Sequence, residues 1–254
     1  MSVHAQPHTN DTLYFEYVDH MGNDDSVANA ARVSFDKHAS CYTPEQNEGL
    51  IRYLANGLSS KAIKQLKDEL LACTDPVTME RILRQLDADP HWTPFGHTAI
   101  TLRCAAPVPI RTQAYKHKIG FVENEESRRY ISSRPVFYIP EYFRSKPSGS
   151  IKQGSGDVHP QSDAWKLVYE RHCKQSIELY MDMLDAGICP EQARFVLPQG
   201  TVVHWMWTGN LMAFANAYKK RTDSHAQKEI QDLFLQLDPI MEKLFPVSWK
   251  ALTK

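Results

Sequence analysis

Cysteine is scarce and unpatterned in this chain. The five cysteines (Cys41, Cys73, Cys104, Cys173 and Cys189) are odd in number, widely spread and without a Cys-x-x-Cys pair, which argues for reduced thiols in a cytoplasmic setting and against a disulfide framework. None stands in a recognisable nucleophile motif, so covalent cysteine catalysis has no positive support. The glycine-rich signatures G-x-G-x-x-G, P-loop and G-x-S-x-G are missing, and His91 and His97 lack a third metal ligand, which removes the Rossmann and zinc readings. Long apolar runs are absent too, and the opening segment MSVHAQPHTNDT is polar, so the expectation is a soluble, unexported protein with no membrane partner. Nor is there an excess of charge of one sign. With 29 Lys and Arg against 30 Asp and Glu, no global field exists to hold a nucleic-acid backbone, and any anion must be met by local basic residues.

What is present suits one globular domain over residues 1–254, since 42% hydrophobic and 23% charged residues can bury a sizeable core. Tyr14 to Val18 alternates as a strand does and is stopped at Met21-Gly22-Asn23. Asp24-Asp25-Ser26 then begins a helix ending near Ser34, and Thr43-Pro44 opens another that Gly57 closes. Residues 59 to 89 read as two amphipathic helices separated by Asp75-Pro76, one with the stripe Leu66, Leu70 and Leu71, the other with Ile82, Leu83 and Leu86. His97 to Val108 reads as a strand leading into a helix from Ile110 to Tyr115. Gly120 to Tyr130 reads as a polar functional loop, and 145 to 160 as a mobile surface loop. Helical patterning dominates thereafter: Trp165 to Leu184 up to Gly187, a short helix from Pro190-Glu191, and a last stripe of Ile230, Leu233, Phe234 and Leu237 broken at Asp238-Pro239. Trp205, Trp207 and Phe214 are read at helical spacing as core residues, and Ser224 with Gln227 as a capping box.

Three constellations could carry chemistry. Lys116-His117-Lys118 with Glu125, Ser127 and Arg129 places cations, an acid and a hydroxyl in one short segment, a mix suited to phosphate and polar-ring recognition or, more plainly, a solvated charged loop. Arg221-Thr-Asp-Ser-His225 sits where one helical pattern ends and the next begins, so Arg221 either meets an anion beside free amides or offsets a helix dipole. Arg194 in PEQARFVLP lies on a short apolar helix and needs an anionic partner, a carboxylate or a ligand.

These patches occur in the order of one family. Through VDHMGNDDSVANAARVSF (18 to 35), HWTPFGHTAI (91 to 100), the Lys116 to Tyr130 segment, PEQARFVLP (190 to 198) and RTDSHAQKEIQ (221 to 231), the chain resembles the flavin-dependent thymidylate synthases over most of its length. The resemblance implies an α/β (α+β) fold with a mixed central sheet and flanking helices, residues 57–89 being a helical insertion. It implies a homotetramer with sites shared between subunits, and FAD held at the interface. The implied reaction moves a one-carbon unit from 5,10-methylenetetrahydrofolate to C5 of dUMP, with NADPH as reductant, to give dTMP. Carried over by position, Gln113, Lys116, Glu125, Ser127, Arg129, Arg194 and Arg221 resemble the dUMP ligands, with Arg221 also stabilising the uracil anion. Thr93, Lys116, His117, Lys118, Ile119, Glu125, Asn210 and Asn216 resemble the FAD contacts, with Ser34 and His91 beside them, and His225 matches the histidine of the family's DSHAQ segment.

The chain also departs from the family's pattern. Lys116-His117-Lys118 replaces Arg-His-Arg, keeping charge but not a bidentate, stacking guanidinium. One residue more than usual separates that triplet from Asn124-Glu125, Met212 stands where an FAD-binding arginine is expected, and Lys220 where an apolar residue beside the uracil is common. Two alternatives follow from these departures: the same chemistry diverted to 5-hydroxymethyl-dUMP, and a non-catalytic nucleotide-binding homologue.

Overall fold

The computed structural model describes residues 12–147 and 154–253. The opening polar segment up to residue 11, and the centre of the expected 145 to 160 loop, lie outside the described residues. In chain order the elements are β1 (Tyr14–Met21), α1 (Asp24–Arg32), α2 (Pro44–Asn56), α3 (Ser60–Ala72), α4 (Pro76–Leu86), β2 (Ala99–Pro107), α5 (Val108–Ala114), β3 (Phe121–Glu125), α6 (Ser162–Asp185), α7 (Pro190–Ala193), β4 (Val202–Gly209), α8 (Leu211–Arg221), α9 (Lys228–Leu235), α10 (Leu237–Leu244) and α11 (Pro246–Thr253). The four strands form one sheet in the order β1-β2-β4-β3. The α/β expectation therefore holds.

The chain divides into two compact units. Among the described residues, one comprises 12–18, 101–147, 154–208 and 217–237, the other 19–100, 209–216 and 238–253. In the first, the core is an aromatic cluster on one face of the sheet. Phe121 stacks on Trp207 at 4.3 Å between ring centroids, Phe15 and Trp207 lie 6.0 Å apart, and Phe234 of α9 meets both Phe15 and Trp207 edge-on. The α9 stripe Ile230, Leu233 and Phe234 is fully buried as its spacing requires, and so is Leu237, which opens α10 because the helix breaks at Gln236 and not at Asp238-Pro239.

Two strands differ from the sequence reading. Trp205 and Trp207 are core residues as expected, but they lie on β4, where burial alternates: Val203, Trp205 and Trp207 inward, Met206 outward. A spacing of two is a strand's period, and the aromatic and β-branched content of this segment fits a pleated, half-buried surface. The Gly120 to Tyr130 segment is not a loop throughout, because β3 occupies its first half. Phe121 anchors that strand against Trp207 while Val122 faces outward. On α6 the buried residues are Ser162, Cys173, Ser176 and Tyr180, whereas Trp165 and Val168 in the helix's first two turns are about half exposed. The described flanks of the 145 to 160 segment pair with each other: Arg144 bridges to Val158, and Ser145 donates to the Asp157 carbonyl at 2.8 Å.

The second unit is helical and its starts and stops are local. Thr43 caps α2 in a capping box with Gln46, Asp75 caps α4, and Asn23 caps α1 with Ser26. The Asp24 carboxylate accepts from the Val247 and Ser248 amides, tying the start of α11 to the start of α1. On α3 and α4 the stripes are narrower than read. Leu71 is 87% exposed and Leu83 52%, because each follows a stripe residue by one position and a helix turns by about 100° per residue. Gly57 closes α2 at φ +66°, and a β-carbon there would stand 2.6 Å from the Asp89 carbonyl oxygen. Gly57→Ala should therefore lower stability by about 1–2 kcal/mol, readable as a shifted denaturation midpoint. An unshifted midpoint would show that the turn relaxes freely.

Candidate active site

Helix α5 carries two functional side chains on different faces. Arg111 and Gln113 are two residues apart, about 200° around the helix axis, so each meets a different part of the first unit. Gln113 faces the end of α8. There Arg221, in the last helical turn, donates from Nη2 to the Gln113 carbonyl oxygen at 2.8 Å and from Nε to His117 Nε2 at 2.8 Å. Two of the five guanidinium N–H groups are thereby committed, which orients the fork. The Gln113 side chain donates to Gln227 Oε1 at 2.7 Å.

His117 is half-buried and held neutral. Burial first, then the positive charges of Arg221 and Lys220, push its pKa from 6.5 down to about 4. Accepting from Arg221 at Nε2, the neutral ring must carry its proton on Nδ1. The sign follows from the lowered value: above about 6.5 the ring costs nothing, and as pH falls toward 4 the unfolded chain takes up a proton that the folded chain refuses, so stability declines. A ¹⁵N-imidazole titration should place the midpoint well below 6, with the Nδ1–H tautomer above it. A midpoint near 6.5 would show that the ring is neither buried nor beside Arg221.

Arg111 faces the other way. Its Nε stands 2.8 Å from Glu125 Oε2, an ion-pair contact that leaves that atom without an aligned hydrogen bond. Burial pushes the Glu125 carboxyl up, and the guanidinium offsets part of that. Glu125, Ser127 and Arg194, expected from the sequence, line one cavity of about 360 Å³ together with Arg111, Glu126 and Arg128. Glu126 sits 3.1 Å from His204 of β4; burial acts to raise its pKa, but the His204 contact outweighs it and the net shift is downward. Three arginines and a hydroxyl around one cavity suit a phosphate. Arg129 is drawn instead into an exposed ion pair with Glu191, whose carbonyl oxygen also accepts from Arg194 Nε at 3.3 Å.

Lys116 and Lys118 are exposed, Lys118 pairing with Glu123, and Ile119 is 93% exposed. Two surface cations beside a projecting apolar side chain fit a ligand that combines a diphosphate with a ring. In the second unit Ser34 and Thr93 are exposed, as are His91 and Asn216. Asn210 caps α8, its side chain accepting from the Ala213 amide at 2.8 Å, and Met212 is buried. The Met212 position thus offers packing and no charge. Ser224 does not cap α9, which starts four residues later. The Asp223 carboxylate instead accepts from the His225 amide and holds 223 to 226 in a turn.

The sequence reading missed Arg111, Arg144 and Glu229. Arg144 donates to both Glu229 oxygens, at 2.6 and 2.8 Å, and Glu229 is buried in the first turn of α9. Their separation of 85 residues leaves no local signal.

A family model described as "Thymidylate synthase complementing protein" matches residues 16–247. The chain belongs to that family. It is 31% identical over 246 residues to the flavin-dependent thymidylate synthase of Thermosipho africanus, across 96% of this chain and 92% of that one. To the flavin-dependent thymidylate synthase of Streptomyces avermitilis it is 30% identical over 206 residues, 76% of this chain and 81% of that one. A solved UMP/dUMP methylase from Streptomyces cacaoi, bound with 5-Br dUMP, superposes with TM-score 0.73 at 26% identity, covering 95% of this chain and 94% of that one. The same methylase bound with 5-Br UMP gives 0.71 at 26% identity, covering 96% and 95%. Membership of the thymidylate synthase complementing family makes the chain an enzyme of the flavin-dependent thymidylate synthase type. Among the described residues, no helix of this family member is long and apolar enough to cross a membrane.

Proposed function

We propose that this enzyme transfers a one-carbon unit from 5,10-methylenetetrahydrofolate to C5 of dUMP and, with NADPH as reductant, releases dTMP and tetrahydrofolate. The observation that carries the reading is the Arg221 guanidinium. It is partly buried and oriented by the Gln113 carbonyl and by a neutral His117, so a fixed cation is ready where negative charge develops on a uracil ring. Bound FAD would supply the two-electron redox chemistry and the transient carrier of the carbon unit. Lys116, Lys118 and Ile119 are the residues of the first unit that would hold it. Ser127 and Arg194, with Arg129, would bind the nucleotide phosphate, and Glu125, steadied by Arg111, would orient a hydroxyl. The placement of the Arg221 and Glu125 groups on two faces of α5 supports sites completed by another copy in a homotetramer.

The test is the mass of the nucleotide product after incubation with FAD, methylenetetrahydrofolate, NADPH and dUMP, with UMP in parallel because the superposed methylase is known with analogues of both. The expected product is dTMP, one CH₂ heavier than the substrate. A gain of CH₂O would replace this reading with the hydroxymethylase, and nucleotide binding with no mass change would leave a non-catalytic homologue. Product from UMP alone would overturn the choice of dUMP.

A further inference from the structure

Gln227 caps no helix end with its side chain. It bridges instead: its Oε1 accepts from Gln113 Nε2 at 2.7 Å, and its Nε2 donates to Glu229 Oε2 at 2.8 Å. Beyond it the Glu229 carboxylate takes both contacts from Arg144 Nη2, at 2.6 and 2.8 Å. The direction of every bond in this chain is fixed from its buried end. Arg144 can only donate and an ionised carboxylate can only accept, so Glu229 forces the amide nitrogen of Gln227 toward itself. That turns the Gln227 oxygen to Gln113, which must answer with its own nitrogen. Burial alone would favour protonated Glu229, but the Gln227 and Arg144 hydrogen bonds outweigh it and hold the group ionised.

We infer that Arg144, Glu229 and Gln227 form a polarity relay that holds the Gln113 amide with its oxygen turned to the nucleotide, so that Gln113 recognises a hydrogen-bond donor and not the phosphate. Arg144, Glu229 and Gln227 are positioning residues acting through Gln113. The inference rests on the nucleotide site proposed above. The donor is the ring N3–H of uracil or a ribose hydroxyl, which share this chemistry, and the phosphate is excluded because it offers only acceptors.

The relay makes an unusual demand on mutagenesis. In Glu229→Gln the new amide oxygen still serves Arg144, which leaves its nitrogen facing Gln227. Gln227 then reverses, Gln113 reverses after it, and a donor faces the nucleotide's donor. Combining Glu229→Gln with Gln227→Glu restores an acceptor-only group next to Gln113 and should return the original polarity. Dissociation constants are measured on the FAD-loaded enzyme for dUMP, for dCMP, whose N3 is an acceptor, and for 2′,3′-dideoxyuridine monophosphate, which lacks the 3′-hydroxyl. Glu229→Gln should weaken dUMP about tenfold, the size of one traded hydrogen bond, with the double variant recovering most of it. If the ring is the donor, the preference for dUMP over dCMP collapses in the single variant. If the ribose is the donor, the penalty for losing the 3′-hydroxyl vanishes instead.

Unchanged preferences against both analogues, or a loss that the double variant does not reverse, would overturn the relay. Should Glu229→Gln not fold, Gln227→Met unlinks Gln113 and should flatten the same preference, and an intact preference there would equally sink the inference. Wild-type enzyme that binds no uridine nucleotide would refute the proposed function itself, which separates the two failures.

Discussion

Arg221→Ala is expected to lower turnover of dUMP by about 10²- to 10³-fold, the usual cost of removing one fixed group that stabilises developing charge, while leaving flavin content near that of the wild type. The guanidinium serves two ends. It supplies the cation, and by donating to His117 Nε2 and the Gln113 carbonyl it holds two neighbours expected to touch ligands. The same variant should raise the His117 pKa above about 4 without restoring 6.5, because burial is the larger cause of its depression and Arg221 the second. Single-turnover kinetics with an imidazole titration on the same preparation reads both. Turnover within threefold of wild type would remove the role assigned to Arg221, and an unmoved His117 pKa would remove the contact.

Trp207→Ala should cost about 3–5 kcal/mol of stability, the largest effect expected of a single core change. The indole is fully buried, stacked on Phe121 and flanked by Phe15 and Phe234. Its loss removes the partner that anchors the edge strand β3 to the sheet. That strand ends in Glu125, so destabilisation there should reach the Arg111 to Glu125 pair. Chemical denaturation with tryptophan-independent circular dichroism measures the cost. A change below about 1 kcal/mol would mean that the cluster repacks around the gap.

Much of this architecture is legible because it is decided within one helical turn. Thr43-Pro44 with Gln46, Asp75-Pro76 and Gly57 each satisfy or end a helix through groups at most four residues away. The first-unit stripe of α9 is legible for the same reason, since three apolar residues at helical spacing need only one partner surface. The errors fall where local patterns compete. Trp205 and Trp207 were placed in the core but on the wrong element, because a short apolar run does not distinguish helix from strand until a neighbouring strand accepts its hydrogen bonds. Phe121 looked isolated among polar residues, and Trp207, far along the chain, makes it a core residue. Ser224 matched a capping pattern, yet the Asp223 side chain took the His225 amide first.

The candidate site divides along the same line. Residue types in order (Gln113, Lys116 to Ile119, Glu125, Ser127, Arg194 and Arg221) are a property of the sequence, and so is membership of a family over 16–247. Which of those residues meet is not. Arg221 reaches a carbonyl 108 positions away, and Arg144 pairs with Glu229 across 85. A cap is chosen by hydrogen bonds whose partners are tethered close at hand, so composition and spacing suffice to determine it. The partner of a buried charge is chosen by what packing brings within about 3 Å once water is excluded, and that choice belongs to the tertiary structure alone.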